Sequence, residues 1–421
     1  MKEKLIMQSI RKLARPFNNE KEIRGLVDQA SKSKYVLLGE ASHGTSEFYT
    51  VRADLSKRLI SEKGFRFIAV EGDWPSCYTL NRYVKGYTDA DIDAKQALDD
   101  FNRWPTWMWA NREIIELAEW LRQYNKDKPD EEKAGFYGID VYSLWESMDE
   151  ILKYLGTKSD ADLQAAKRAF ECFEPYEREG QSYGISASIY GEGCEDEVVS
   201  LLLRLQDKWK DAHPKDKENA LSAEMNALAV KGGESYYRTM IRHDTDSWNI
   251  RDRHMVEALE KLMEFHGEAA RTIVWEHNTH VGDARATDMA ADGMVNVGQL
   301  LREKHGVEVF AIGFGTYQGT VIAGKSWGAP MEIMRVPAAV TNSWEEMLHR
   351  DGADDKLLYF DEEDPVLDDS VIGHRAIGVV YHPEWERGNY VPTVISKRYD
   401  AFVYIDQTHA VSPLAIESVK V

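Results

Sequence analysis

A chain of 421 residues that is 43% hydrophobic, with 12 Trp and 20 Tyr, has the apolar material for a large buried core. Its formal net charge of -20 argues against polyanion partners such as nucleic acid, and no apolar run approaches the ~18 residues of a membrane helix. The N-terminal MKEKLIMQSIRKLARPF scatters charges where a secretory signal needs ~7 to 15 apolar residues, so a cytoplasmic location is expected. Cys77, Cys172 and Cys194 form no C-x-x-C pair, and the expectation is three ordinary thiols with neither a disulfide framework nor a cysteine zinc site.

In chain order, the first strong signal is Tyr35-Val36-Leu37-Leu38, a central strand running into VLLGEASHG (36 to 44). In GTSEFYTVRADLSKRLISEKG (44 to 64), Phe48, Val51, Leu55 and Leu59 fall at helical spacing, and Thr45 or Ser46 can cap that helix. FRFIAVEGDW (65 to 74) ends its strand in Glu71, and AGFYGID (134 to 140) ends in Asp140. Between them, DFNRWPTWMWANRE (100 to 113) is dense in aromatics that either line a cleft or pack in the core. From 143 to 265 the pattern is helical, as in DEVVSLLLRLQDKWKDA (196 to 212) and SWNIRDRHMVEALEKLMEF (247 to 265), and the most basic stretch (207 to 217) reads as a solvated turn. Strands resume at RTIVWEHNTHVGD (271 to 283), VEVFAIGFG (307 to 315), RAIGVVY (375 to 381) and RYDAFVYID (398 to 406). The predicted architecture is one α/β unit (1–142 and 266–421), a mainly parallel central sheet with helices on both faces, and an inserted helical lobe (143–265) walling the cleft.

Ligands bind beyond the carboxyl ends of parallel strands, and four such ends here deliver ionisable groups: Glu40 with His43, Glu71, Asp140, and Glu276 with His277 and His280. His43 is either a satisfied core histidine or a functional imidazole; its place in a loop after a buried strand favours the second. Arg52, near the core-facing side of its helix, either pairs with Glu40 or Glu71 or serves catalysis. Gly324-Lys325-Ser326-Trp327-Gly328 matches G-x-S-x-G, but Pro330 and the β-leaning MEIMRV after it do not continue into the helix a nucleophile elbow requires. GFGTYQG (313 to 319) lacks a dinucleotide context and reads as a turn with backbone close to the cleft.

These blocks together resemble the erythromycin esterase family nearly end to end: LLGEASHGTSEFYTVR, AVEGDW, SWNIRDRHM, VWEHNTHVGDA, GFGTYQG, RAIGVVY and RYDAFVYIDQTHAVSPL. The resemblance implies an ester or lactone hydrolase working through activated water. It implies an essential histidine at His43, acidic partners at Glu40 and Glu71, an arginine at Arg52, and a second histidine at His277 or His280, with His277, directly at the strand end, preferred. Gly44 departs from the bulky apolar residue of macrolide-inactivating members, although a macrolide-type substrate belongs to what the family implies. His280, Asn278, Trp74, Trp107 and Arg251 are expected on the substrate side. Metal-independent hydrolysis without a cofactor ranks first. Glu40, His43, Glu71, His277 and His280 hold enough N and O donors to make hydrolysis assisted by a divalent metal the second reading, and a homologue that binds without turnover the third. The expected partner is a small-molecule ester or lactone, with no membrane or nucleic acid.

Overall fold

A computed structural model describes residues 2–87, 93–176, 178, 180–190, 193–213, 216–241, 244–361 and 363–414. Pro214 and Lys215 of the basic stretch fall outside them. The chain forms two compact units. The first comprises Met1–Ala69, Leu80–Gly135 and Ala269–Val421; the second comprises Val70–Thr79 and Phe136–Glu268. The second unit also takes in the segment that carries Glu71.

Among the described residues the strands in chain order are β1 (Arg15–Pro16), β2 (Tyr35–Leu38), β3 (Phe67–Val70), β4 (Gly135–Gly138), β5 (Thr272–Trp275), β6 (Val309–Ala323), β7 (Glu332–Val336), β8 (Lys356–Tyr359), β9 (Ile372–Arg375), β10 (Tyr390–Thr393) and β11 (Ala401–Thr408). In the first unit the sheet runs β1-β8-β11-β6-β2-β5-β3, with β7 added to the far end of β6. The pairs β11/β6, β6/β2 and β2/β5 are parallel, while β8 and β7 join antiparallel. Every residue of β2 and β5 is buried, the pattern of strands covered on both faces. The helix Ser46–Lys63 returns from β2 with Phe48, Leu55 and Leu59 inward and ends at Gly64, whose φ of 75° only glycine adopts readily. Thr45 is its N-cap by backbone but makes no side-chain cap bond, and Ser46 Oγ instead donates to Glu113 at 2.6 Å.

Two expected elements differ. GFGTYQG is not a turn but the middle of β6, because that strand always has a partner: β2 for its first residues, β11 from Ile312 to Gly319, and β7 thereafter. RAIGVVY contributes only Arg375 to a strand. β9 pairs with β10 in a separate two-stranded hairpin, and beyond Arg375 the segment makes isolated bridges, Ile377 with Ser42 and Val380 with Gly324.

The second unit is helical, with Leu144–Gly156, Asp160–Phe170, Glu195–Leu205, Lys217–Met240 and Asp244–His266 as its main helices. The pattern at 196–212 does not run through. It breaks at Asp207, which takes φ 60° and donates its N–H to buried Glu224 at 2.7 Å, and Trp209 just beyond is buried rather than solvated.

The cysteine expectation is overturned. Cys172 and Cys194 form a disulfide, with Cα atoms 5.9 Å apart across 22 residues of sequence. Packing among helices sets that distance, and no local spacing reveals it. Disulfides are rare in the cytosol, so this pairing and the expected cytoplasmic location point in different directions; no helix among the described residues is long and apolar enough to cross a membrane. Thiol titration of the denatured, unreduced protein is expected to find one free group, Cys77, and three after reduction. Reduction should cost about 3 kcal/mol for a loop of this length, read as a lower urea midpoint. Three thiols before reduction would refute the pairing.

His254 gives the second unit a pH dependence. Burial pushes its imidazole from 6.5 down to about 4, against smaller opposing effects of Glu257 and Asp140. Below pH 6.5 the unfolded chain takes up a proton that the folded chain refuses, so this contribution is complete above 6.5 and is lost as pH falls toward 4, by about 3 kcal/mol in all. Urea denaturation of wild type and His254→Gln from pH 7 to pH 4 should show the variant losing less stability on acidification. Identical losses would remove His254 from the account.

Candidate functional site

The loop after β2 is fixed by backbone bonds before any side chain is considered. Gly39 N–H donates to Ile312 C=O at 2.9 Å, and Ala41 C=O accepts from Ile377 N–H at 2.8 Å. The Gly44 carbonyl accepts from Ile322 N–H (3.1 Å) and Val411 N–H (3.0 Å), while Tyr49 OH donates to the His43 carbonyl at 2.9 Å. A Cβ on Gly44 would sit 2.0 Å from the Ile322 carbonyl oxygen, so no side chain fits after His43 in this backbone. His43 is therefore presented by a loop with little freedom, the preorganisation a catalytic group requires.

Three side chains interlock there. His43 Nδ1 lies 2.8 Å from Glu40 Oε1, and Arg52 Nη2 donates to the other carboxylate oxygen. The guanidinium is fully buried, its carbon 4.6 Å from the Trp275 ring centre and 4.8 Å from that of Tyr49, and its Nε donates to the Phe48 carbonyl at 3.2 Å. Arg52 thus meets Glu40 from within the core. Because an ionised carboxylate only accepts, the His43 proton is assigned to Nδ1 and the lone pair to Nε2.

The carboxyl end of β5 supplies the facing group. The His277 ring lies 4.9 Å from that of His43, tilted by 41°. His277 caps the one-turn helix Asn278–Val281: its Nδ1 accepts from Thr279 N–H at 3.3 Å and lies 2.8 Å from Thr279 Oγ1. With Nδ1 an acceptor, the neutral ring carries its proton on Nε2. On these assignments the two imidazoles would be opposite tautomers, one offering a lone pair and the other an N–H. Asn278 and His280 are buried, and the Asn278 side chain is engaged with the Phe314 backbone (Nδ2 to O, 2.7 Å) rather than with either imidazole.

In the second unit Glu71, Asp140 and Arg251 form their own cluster. Arg251 Nη2 is 2.7 Å from Glu71 Oε1 and 2.6 Å from Asp140 Oδ2, and its Nε donates to Asp140 Oδ1 at 2.8 Å. Burial alone would raise the Asp140 carboxyl, but Arg251 outweighs it and the net shift is downward. The chains leaving β3 and β4 run side by side here, Ile139 N–H to Val70 C=O at 3.1 Å and Asp140 N–H to Gly72 C=O at 3.0 Å, which explains why two carboxylates share one guanidinium. Trp74 is buried and stacked on Tyr137 at 5.6 Å, donating to Ser222 Oγ at 3.1 Å; Trp107, in the first unit, is buried at the edge of Trp104. Ser326 lies in an exposed turn between β6 and β7 with no helix after it, which is not the setting of a nucleophile elbow. Among the described residues no three His, Cys, Asp or Glu side chains converge as a metal ion would need.

Reasoning from sequence did not single out Glu345 or His374, which meet at 2.6 Å behind Asn278. The pair His374-Arg375 at the head of RAIGVVY was the available signal.

A mixed α/β sheet with an imidazole, a carboxylate and a second imidazole at its parallel strand ends defines a class of α/β protein with a histidine-based polar site. The family model for erythromycin esterase matches residues 60–408, and the chain belongs to the erythromycin esterase family. It is 22% identical to erythromycin esterase type II of Escherichia coli over 333 residues, 74% of this chain and 76% of that protein. Its fold is shared by a succinoglycan biosynthesis protein (TM-score 0.79, 20% identity, 97% of this chain and 98% of that one). It is also shared by a mutant of the erythromycin esterase EreC in its open conformation (TM-score 0.67, 19% identity, 93% and 94%).

Proposed function

We propose that this protein is a hydrolase that cleaves a carboxylic ester or lactone with water activated by His43. The observation that carries the reading is the pair of facing imidazoles, 4.9 Å apart, one of them 2.8 Å from a buried carboxylate. In this scheme His43 Nε2 takes a proton from water as the oxygen attacks the ester carbonyl carbon, and Glu40 balances the imidazolium that forms. The oxyanion of the tetrahedral intermediate receives a hydrogen bond from His277 Nε2–H, an interaction typically worth ~2.7 to 4 kcal/mol. On collapse the C–O bond breaks, and the proton held on His43 Nε2 passes to the leaving alkoxide. Arg52 orients Glu40 and touches no reacting atom.

The test is turnover of a panel of activated esters, lactones and macrolides by the purified chain, before and after exhaustive chelation with elemental analysis of the same sample. Hydrolysis that survives chelation supports the scheme. A stoichiometric ion whose removal abolishes activity and whose return restores it would replace it with metal-assisted hydrolysis, and no turnover across the panel would favour a member of the family that binds without cleaving.

A further inference from the structure

Behind the one-turn helix that His277 caps lies a second histidine–carboxylate pair that the scheme above does not use. His374, in β9, and Glu345, in the helix Trp344–Arg350, are fully buried, as is Asn278. His374 Nδ1 is 2.6 Å from Glu345 Oε1, and the same oxygen accepts the Arg375 backbone N–H at 2.9 Å. On its other side the ring meets Asn278, with Nε2 3.2 Å from Nδ2. The Asn278 amide also brackets β6, donating to Phe314 C=O at 2.7 Å and accepting from Phe314 N–H at 3.2 Å. An amide NH2 has two protons, one used on Phe314 and the other directed at His374, so His374 Nε2 must be the lone pair and Nδ1 the N–H. Glu345 is the acceptor that this assignment requires. Both faces of the ring therefore demand one tautomer.

The main chain of Asn278 ties the pair to the candidate site. Its N–H donates to the Glu40 carbonyl at 2.8 Å, and its carbonyl accepts from Arg398 Nη2 at 3.0 Å. A Cβ on Gly39 would sit 2.1 Å from Asn278 Oδ1, so a glycine before Glu40 is what lets the amide lie there. His277 is thus followed by a residue whose side chain is set by His374 and β6 and whose backbone is set by Glu40. We propose that the buried Glu345–His374 pair, acting through the Asn278 amide, is the positioning element that holds His277 against His43.

The charges around the ring keep it an acceptor. Burial disfavours a second proton on His374; Glu345 opposes this, while Arg398 from the helix Ile395–Arg398 and Arg375 on its own strand reinforce it, and the net shift is downward. The rings of Tyr399 and Phe402 meet His374 edge-on at 5.9 and 5.3 Å. A proton on Nε2 would point donor to donor at Asn278. An aromatic of similar size fills the same slot without offering an acceptor, which separates positioning from packing.

The proposal rests on the hydrolase reading only for its rate prediction, so the deciding measurement is spectroscopic. With selective ¹⁵N labelling of histidine in the full chain, His374 should show the Nδ1–H tautomer near neutral pH; the Nε2–H tautomer overturns the proposal at once. In His374→Phe the His277 and His43 ring resonances should move, and in His374→Gln, whose side-chain carbonyl keeps an acceptor toward Asn278, they should return toward wild type. A folded His374→Phe with unchanged His277 resonances would reduce the pair to packing. Should the Phe variant not fold, the wild-type tautomer and the Gln variant carry the decision. With p-nitrophenyl acetate as probe, His374→Phe should lower kcat on the order of 10- to 100-fold at unchanged KM, with recovery in the Gln variant. If wild type does not turn over the probe, the hydrolase reading fails while the resonances still report on positioning.

Discussion

Turnover of an activated ester is expected to fall about 100- to 10,000-fold on His43→Gln, the span that general-base catalysis commonly contributes. The variant is chosen to leave the fold untouched. The backbone at this position is held by Tyr49 through the His43 carbonyl and by β6 and Val411 through Gly44, and none of these bonds uses the imidazole. A glutamine amide can still donate to Glu40, so the buried carboxylate keeps a second partner besides Arg52. What disappears is the basic lone pair. Loss of kcat with the thermal midpoint and KM near wild type is the expected signature. Activity within threefold of wild type in the folded variant would require another base.

The sequence already displayed the elements that make such a site. Tyr35–Leu38 and Thr272–Trp275 are short, continuously apolar and bounded by polar residues, and they emerge as fully buried parallel neighbours in register. Strand-end positions then follow from the alternation of strand and helix, which puts Glu40 and His43 after β2 and Glu276, His277 and His280 after β5; a second histidine among the last two was named only through the family resemblance. Arg52 was legible as a buried charge but not as a partner, since sequence offered Glu40 and Glu71 equally and only the return of the helix beside β2 selects Glu40. Glu71 illustrates the limit from the other side. Its guanidinium partner comes from Arg251, 180 residues away, and no local spacing announces such a pairing. The disulfide and the Glu345–His374 pair were hidden for the same reason: both depend on where long connections return, a tertiary property. GFGTYQG misled because glycines that suggest a turn here allow close packing, with Gly313 against the Tyr399 ring and Gly315 against Phe402.

Removing Arg52 is expected to be costly to the first unit. Its guanidinium has no exposed surface and sits among the Trp275 and Tyr49 rings, while Glu40 is itself 2% exposed. Replacing one member of a buried pair leaves the other desolvated and uncompensated, a loss of about 3 to 5 kcal/mol. Arg52→Met keeps much of the volume and none of the charge, so its urea midpoint measures that loss with little confusion from a cavity. The rate should fall as well, because a carboxylate without Arg52 is free to turn away from His43 Nδ1. Arg52→Lys tests the geometry separately. A single ammonium can neutralise Glu40 but cannot also donate to the Phe48 carbonyl from a planar fork stacked between two rings, so it should recover part of the stability and little of the rate. If the Met variant instead matches wild type in urea while losing turnover, Arg52 acts on substrate and not through Glu40. If it matches wild type in both, the interlocked Glu40, His43 and Arg52 are not the centre of the chemistry.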